Sequence, residues 1–330
     1  MRRRYAELYR AAHRAVEACK VKPGESVVIY TDTGKNPATA EAFQAAAVAS
    51  GADSVLINVL SRPMFAAPPK AAVKAMVGTD MVFDLASDSW LFSDACGDVL
   101  RSGARMLQVL VSDDGIIKRP PDVKVMRRVR AATAILKDCR EFRVTSDLGT
   151  DCAFRRGDRP VFPQAGYVDE PGDWDSLGLG MINFSPPETE ADGVVVFNGP
   201  MDCSPDHLFV LEQPFRVEFK RGRIVKVDTP HAQARLFDAW LKKWNDPNIY
   251  VVAHVGFGLD HRAKVCDNDI GAWESFCGGV IVALGANISP IGGGQNRCDG
   301  HMDAELHGAN LDIDGRRILE KGKFIVPELM

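Results

Sequence analysis

The sequence has no C-x-x-C pair among its eight cysteines, Cys19, Cys96, Cys139, Cys152, Cys203, Cys266, Cys277 and Cys298. Scattered thiols of this kind argue against a zinc ribbon or a disulfide scaffold and read as reduced cysteines of a cytoplasmic protein. Positive charge is not in excess either. Lys and Arg number 40 against 44 Asp and Glu, a net charge of −4. That balance excludes a generally basic nucleic-acid binder and gives no support for a polybasic membrane anchor. No apolar run approaches the ~18 residues of a membrane span. Neither G-x-G-x-x-G nor G-x-x-x-x-G-K-S/T occurs, so nothing in the sequence is built to cradle a nucleotide phosphate. The arginine-rich start, Met1 to Lys20, lacks the apolar stretch and cleavage site of a targeting peptide and contains Glu7 and Glu17. Tyr5, Leu8, Tyr9, Ala12 and Val16 recur there at helical spacing and predict an amphipathic first helix.

What is present is an ordinary globular balance, 46% hydrophobic and 25% charged over 330 residues, enough for about two domains. Residues 1–140 alternate strand and helix. Strands are predicted at 26–30, 54–60, 81–86 and 105–111, and helices at 36–50, 70–77, 93–101 and 123–137. This order predicts an α/β domain with a parallel sheet, Rossmann-like but without a nucleotide motif. Asp32 and Asp84 fall at or near strand ends and read as capping and turn residues. Residues 141–330 change grammar and predict an α+β domain. Hairpins are expected at 142–154 around Gly149 and at 215–227 around Arg221-Gly222, a Pro/Gly-rich loop at 162–173, a strand at 193–197, and a helix at 232–244 with Leu236, Trp240 and Trp244 on one stripe. Further strands are expected at 250–256, 280–284 and 302–306.

Of seven histidines, His13 and His231 read as surface residues. His254 lies in VVAHVGFGLD, a strand pattern in which two nearby glycines leave space for something to approach the backbone. His301 and Asp303 form H-x-D within GHMDAELHG. Residues two apart on a strand point the same way, with Cα atoms ~7 Å apart, close enough for both side chains to meet one ion. His307 is six residues further on, ~20 Å along an extended strand, and reaches the same ion only if the chain bends. Two histidines and one carboxylate on separate strands make the ligand set of mononuclear non-haem Fe(II) oxygenases, although zinc hydrolases use the same side chains.

The stretches RVTSDLGTDCAF (143–154), PPETEADGVVVF (186–197), AHVGFGLD (253–260), GGVIVALGAN (278–287) and HMDAELHGANLDIDGRRILEKGKF (301–324) resemble the aminopeptidase T/aminopeptidase S metallopeptidase family. More closely they resemble its 2,5-dihydroxypyridine 5,6-dioxygenase branch. Peptidases of the family carry metal-binding residues that differ here: Met181 stands for a glutamate, Ile281 for a histidine, and His254 for the glutamate that opens an E-x-G-x-G strand. Methionine and isoleucine cannot replace a carboxylate and an imidazole around a hard divalent ion. The resemblance therefore implies a metal-binding second domain with one metal site, His254, His301 and Asp303, holding Fe(II). It implies a ring-cleaving dioxygenase of nicotinate breakdown, acting on a hydroxylated aromatic N-heterocycle with O₂. Glu188, Glu190, His207 and Glu274 are candidates, by neighbourhood, for acid–base work. The apolar stretch Gly279, Val280, Ile281 and Val282 suits a flat ring. The alternatives are a single-metal aminopeptidase or amidohydrolase and a relative that binds ligand without chemistry. The expected partners are a small aromatic substrate and O₂, with neither nucleic acid nor membrane, in a homo-oligomer.

Overall fold

Buried apolar runs set the first sheet. In the computed structural model, α1 (Arg2–Ala18) is followed by β1 (Ser26–Asp32), α2 (Pro37–Ala49), β2 (Asp53–Val59), α3 (Lys70–Met76), β3 (Met81–Leu85), α4 (Asp94–Arg101), β4 (Arg105–Gln108), α5 (Asp113–Lys118) and α6 (Val123–Leu136). The structure describes residues 2–203, 206–267, 269–288 and 291–330, with the side chains of Arg2, Arg3 and His207 outside that description. The α2 helix starts as its sequence directs: Asn36 accepts the Ala38 N–H, and Pro37 sits where no intrahelical donor is needed. Among the described residues, no helix is long and apolar enough to cross a membrane.

Two compact units emerge, Met1–Met126 with Gln164–Leu179, and Arg127–Pro163 with Gly180–Met330. In the first, the strand order is β2-β1-β3-β4-β8, all parallel, where β8 is Trp174–Ser176. Leu8, Ala12, Val16, Val27, Ile29, Phe43, Phe83 and Leu107 pack into its core. Asp32 accepts from the N–H groups of Gly34 and Ser87, and Asp84 from that of Ala86, so both cap turns as the sequence predicts.

The second unit is built on hairpins. It contains β5 (Glu141–Thr145), β6 (Asp151–Arg155), β9 (Met181–Phe184), β10 (Ala191–Phe197), β11 (Pro200–Cys203), β12 (His207–Val210), β13 (Phe215–Lys220), β14 (Arg223–Val227), α7 (Ala232–Lys243), β15 (Val252–Gly258), α8 (Ile270–Ser275), β16 (Val280–Gly285), β17 (His301–Leu306), β18 (Asn310–Ile313), β19 (Arg316–Glu320) and β20 (Lys323–Phe324). One sheet runs β14-β13-β10-β6-β5-β18-β19-β20 and the other β12-β11-β17-β16-β15-β9-β7, with β7 at Phe162–Gln164. The Arg221-Gly222 turn carries φ of 48° and 75°, the positive pair that a two-residue hairpin takes. Aromatic rings fill the space between these sheets: Phe142 of β5 meets Phe184 and Phe257 at 5.7 and 6.4 Å between ring centres. Four sequence expectations shift. The strand expected at 105–111 ends at Gln108, and the loop expected at 162–173 opens on β7. Tyr250 closes a 3₁₀ turn, Pro247–Tyr250, and the strand begins at Val252. On α7 the buried residues are Ala234, Phe237, Trp240 and Leu241, while Leu236 is exposed, because the apolar stripe is rotated by about one position.

Candidate metal centre

His254 stands where β15 carries one extra residue. Val252 pairs with Leu284 and Val255 with Val282, so three steps along β15 match two along β16. Such a bulge bends the strand and re-aims the side chain within it. The glycines beyond do admit a close approach, but of the chain itself. A Cβ on Gly256 would overlap the Ile182 carbonyl, and one on Gly258 the Phe276 carbonyl. His301 and Asp303 open β17, and the period of two puts both on one face. Antiparallel pairing of β15 to β16 and of β16 to β17 brings the three residues together.

Asp303 Oδ1 lies 3.0 Å from His254 Nε2, and Oδ2 lies 3.1 Å from His301 Nε2. The imidazoles are nearly stacked, 5.3 Å between centres and 28° from parallel. One ligand atom from each residue falls within 4.8 Å of the others, the one cluster of this kind among the described residues. The donors fit a divalent ion. Asp303 Oδ1 is buried with no aligned hydrogen-bond donor, an arrangement that costs free energy unless a cation takes the oxygen. His301 Nδ1 is 2.7 Å from the Ala286 carbonyl oxygen. A carbonyl only accepts, so Nδ1 carries the proton and the Nε2 lone pair is left for a ligand role.

Charge is set by burial and neighbours. Burial opposes ionisation of Asp303, but the imidazoles of His301 and His254 outweigh it and hold the carboxyl well below the usual range. Burial likewise works against a charged His301, and the Asp303 charge more than restores it, so its pKa is raised. Glu274, half-buried on α8, hydrogen-bonds Asp303. Burial first, then the charges of Asp303 and Asp202, push its pKa well above the ordinary value. Glu305 is raised by burial and by Asp303. Its Oε2 lies 2.7 Å from His307 Nε2, and its Oε1 is buried without a partner. Asn198 grips the His307 backbone at both N–H and C=O.

The other sequence candidates fall in different places. Glu188 binds the Arg159 guanidinium at 2.7 Å and the Gln295 N–H at 2.8 Å. Glu190 pairs with Arg155 at 3.5 Å. The His207 side chain lies outside the described residues. Val280, Ile281 and Val282 are fully covered residues of β16, with Ile281 in register with Glu305. Met181 is buried on β9. Sequence reasoning did not single out Asp202, which is in register with Asp303 from β11. Nor did it single out Asn287, whose contacts span long stretches of chain. A signal for Asp202 existed only in strand pairing, which the local pattern PMDC does not encode.

The family model of 2,5-dihydroxypyridine 5,6-dioxygenase matches residues 7–326. A curated 2,5-dihydroxypyridine 5,6-dioxygenase from Pseudomonas putida KT2440 is 28% identical over 266 residues, covering 78% of this chain and 74% of its own. A solved structure of the 2,5-dihydroxypyridine dioxygenase from that organism superposes with a TM-score of 0.89 at 23% identity, covering 99% of both chains. Wild-type AmpT from Thermus thermophilus superposes with a TM-score of 0.68 at 14% identity, covering 97% of this chain and 99% of the other. At those identities the two superpositions establish the fold.

Proposed function

The chain belongs to the 2,5-dihydroxypyridine 5,6-dioxygenase family, and from that membership we propose that it opens the ring of 2,5-dihydroxypyridine, or a near analogue, with O₂ at a single Fe(II) held by His254, His301 and Asp303. The observation that carries the metal assignment is the convergence of three chelating side chains around a buried carboxylate oxygen that lacks an aligned donor. Two imidazoles and one carboxylate are the donor set of non-haem iron oxygenases. When bound, iron would supply the electron transfer that O₂ needs to react with an aromatic ring.

The protein's part is positioning and proton handling. Asp303 offers one ionised carboxylate. His301 is turned by the Ala286 carbonyl so that Nε2 faces Asp303. Glu274 lies beside Asp303, burial and that neighbouring charge raise its pKa, and we assign it to exchange a proton with the substrate's hydroxyl. Both oxygen atoms of O₂ are retained in the opened product, so the reaction requires no external reductant.

The test is metal analysis of anaerobically purified protein, paired with O₂ uptake against dihydroxypyridines and dihydroxybenzenes. We expect activity with Fe(II), loss on oxidation of the iron, recovery with ascorbate and Fe(II), and none with zinc. Cleavage of an aminoacyl amide by the zinc-loaded protein, with no O₂ uptake by the iron-loaded protein, would replace this reading with a hydrolase.

A further inference from the structure

We propose that Asn287 is a positioning residue for the metal centre: one side chain ties together the two backbone segments that carry and orient the histidine ligands. The proposal rests on the metal assignment above.

Asn287 is 2% exposed and follows Ala286, the residue whose carbonyl orients His301. Its Nδ2 donates to the Ala253 carbonyl at 3.3 Å, inside the bulge that aims His254. The same Nδ2 approaches Glu188 Oε1 at 3.4 Å. Its Oδ1 accepts the Asn296 N–H at 2.7 Å, and its own N–H donates to the Asn296 carbonyl at 3.1 Å. Asn296 in turn donates through Nδ2 to the carbonyls of Gly285, at 2.7 Å, and Asn248, at 2.9 Å. The Ala286 N–H donates to the Gly300 carbonyl, immediately before His301. Both N–H groups and the oxygen of the Asn287 amide therefore have partners, and each partner is backbone or a charged anchor. Gly294 packs against this amide so closely that a Cβ there would overlap its Oδ1 and Cγ.

A bulge interrupts the regular ladder, so the strand pairing alone does not fix the Ala253–His254 peptide. The Asn287 amide supplies the missing constraint and refers it to the same backbone that turns His301. Glu188, a candidate for acid–base work from its sequence neighbourhood, lies against this amide and accepts the Gln295 N–H. Outer contacts that orient metal ligands typically contribute 10–100-fold in affinity.

The experiment measures Fe(II) affinity anaerobically by chelator competition, and the visible spectrum of the Co(II)-loaded protein, in wild type, Asn287→Ala, Asn287→Asp and His301→Ala. Asn287→Asp keeps the acceptor for the Asn296 N–H and removes the donor to Ala253. We expect both Asn287 variants to bind about 10–100-fold more weakly, with an altered Co(II) spectrum, at wild-type far-ultraviolet circular dichroism. Affinity and spectrum unchanged in a folded variant, even one with a lower melting temperature, would overturn the proposal and leave Asn287 a structural residue only. Equal binding by wild type and His301→Ala would overturn the metal assignment instead. Should neither variant fold, wild type decides. Coupling is reciprocal, so Fe(II) must slow amide exchange at Asn296, and exchange indifferent to metal would refute the role.

Discussion

Replacing Asp84 by asparagine tests how the first sheet tolerates a buried acid. Asp84 is 1% exposed in the middle of a parallel sheet. Burial raises its pKa to about 6, and hydrogen bonds from the Ala86 N–H and Gln108 amide, with the charge of Lys35, pull it only partly back. An acid with a folded pKa above its unfolded value near 3.8 binds its proton more tightly when folded. Wild type is therefore relatively stable below about pH 4 and loses that contribution as pH rises through about 6. The shift of about two units corresponds to roughly 3 kcal/mol. The asparagine side chain does not titrate, so the stability of wild type relative to Asp84→Asn should fall by about 3 kcal/mol between about pH 3.5 and about pH 7.5. Amide exchange in β1 and β3 under mild urea reads the stability of the first sheet directly. A difference that stays flat with pH, or that moves in favour of wild type as pH rises, would refute the reasoning.

Alanine at His254, His301 or Asp303 should each abolish iron retention and O₂ uptake while leaving circular dichroism unchanged, since the aromatic and aliphatic core does not depend on the ion; unfolding of the variant on purification would count against that separation. Phe142→Ala removes a fully buried ring that touches Phe154, Phe184 and Phe257, and should cost about 3–5 kcal/mol in urea unfolding of the second unit. Gly256→Ala forces a Cβ into the Ile182 carbonyl and should weaken iron binding by displacing β15 from β9, which chelator competition would detect.

The sequence carried the parts of this site that obey a short period. H-x-D on a strand places two candidate ligands on one face, and a histidine in a Gly-punctuated apolar run marks the third candidate. Residues 143–324 also carried the family, which the model match over 7–326 bears out. What the pattern did not carry is long-range. The bulge at His254 exists only because β15 must meet β16 on both sides of it. The three-residue strand Trp174–Ser176 gets its identity from pairing with β4, not from its own composition. Gly256 and Gly258 signal close approach correctly, yet sequence does not say that the approaching group is the chain's own carbonyl. Asn287 looks like any loop asparagine until Ala253 and Asn296 are seen around it.

The charge state of the centre follows from the same packing. Asp202, Glu274, Asp303 and Glu305 lie close enough to influence one another. Four ionised carboxylates in so enclosed a place would repel strongly, and burial penalises each charge separately. The outcome is unequal. Two imidazoles single out Asp303 and keep it ionised, while Glu274 and Glu305 are driven toward their neutral forms. Of the four, Asp303 is the carboxylate that faces both imidazoles, and the charge of Asp202 adds to the burial that raises Glu274. Met181 and Ile281, buried where resemblance to the peptidases would put further ligands, add nothing to that count. In the proposed function, a donor set of one negative charge and two neutral nitrogens would leave a divalent ion with net positive charge, which would favour binding of an anionic, deprotonated hydroxyl of the substrate.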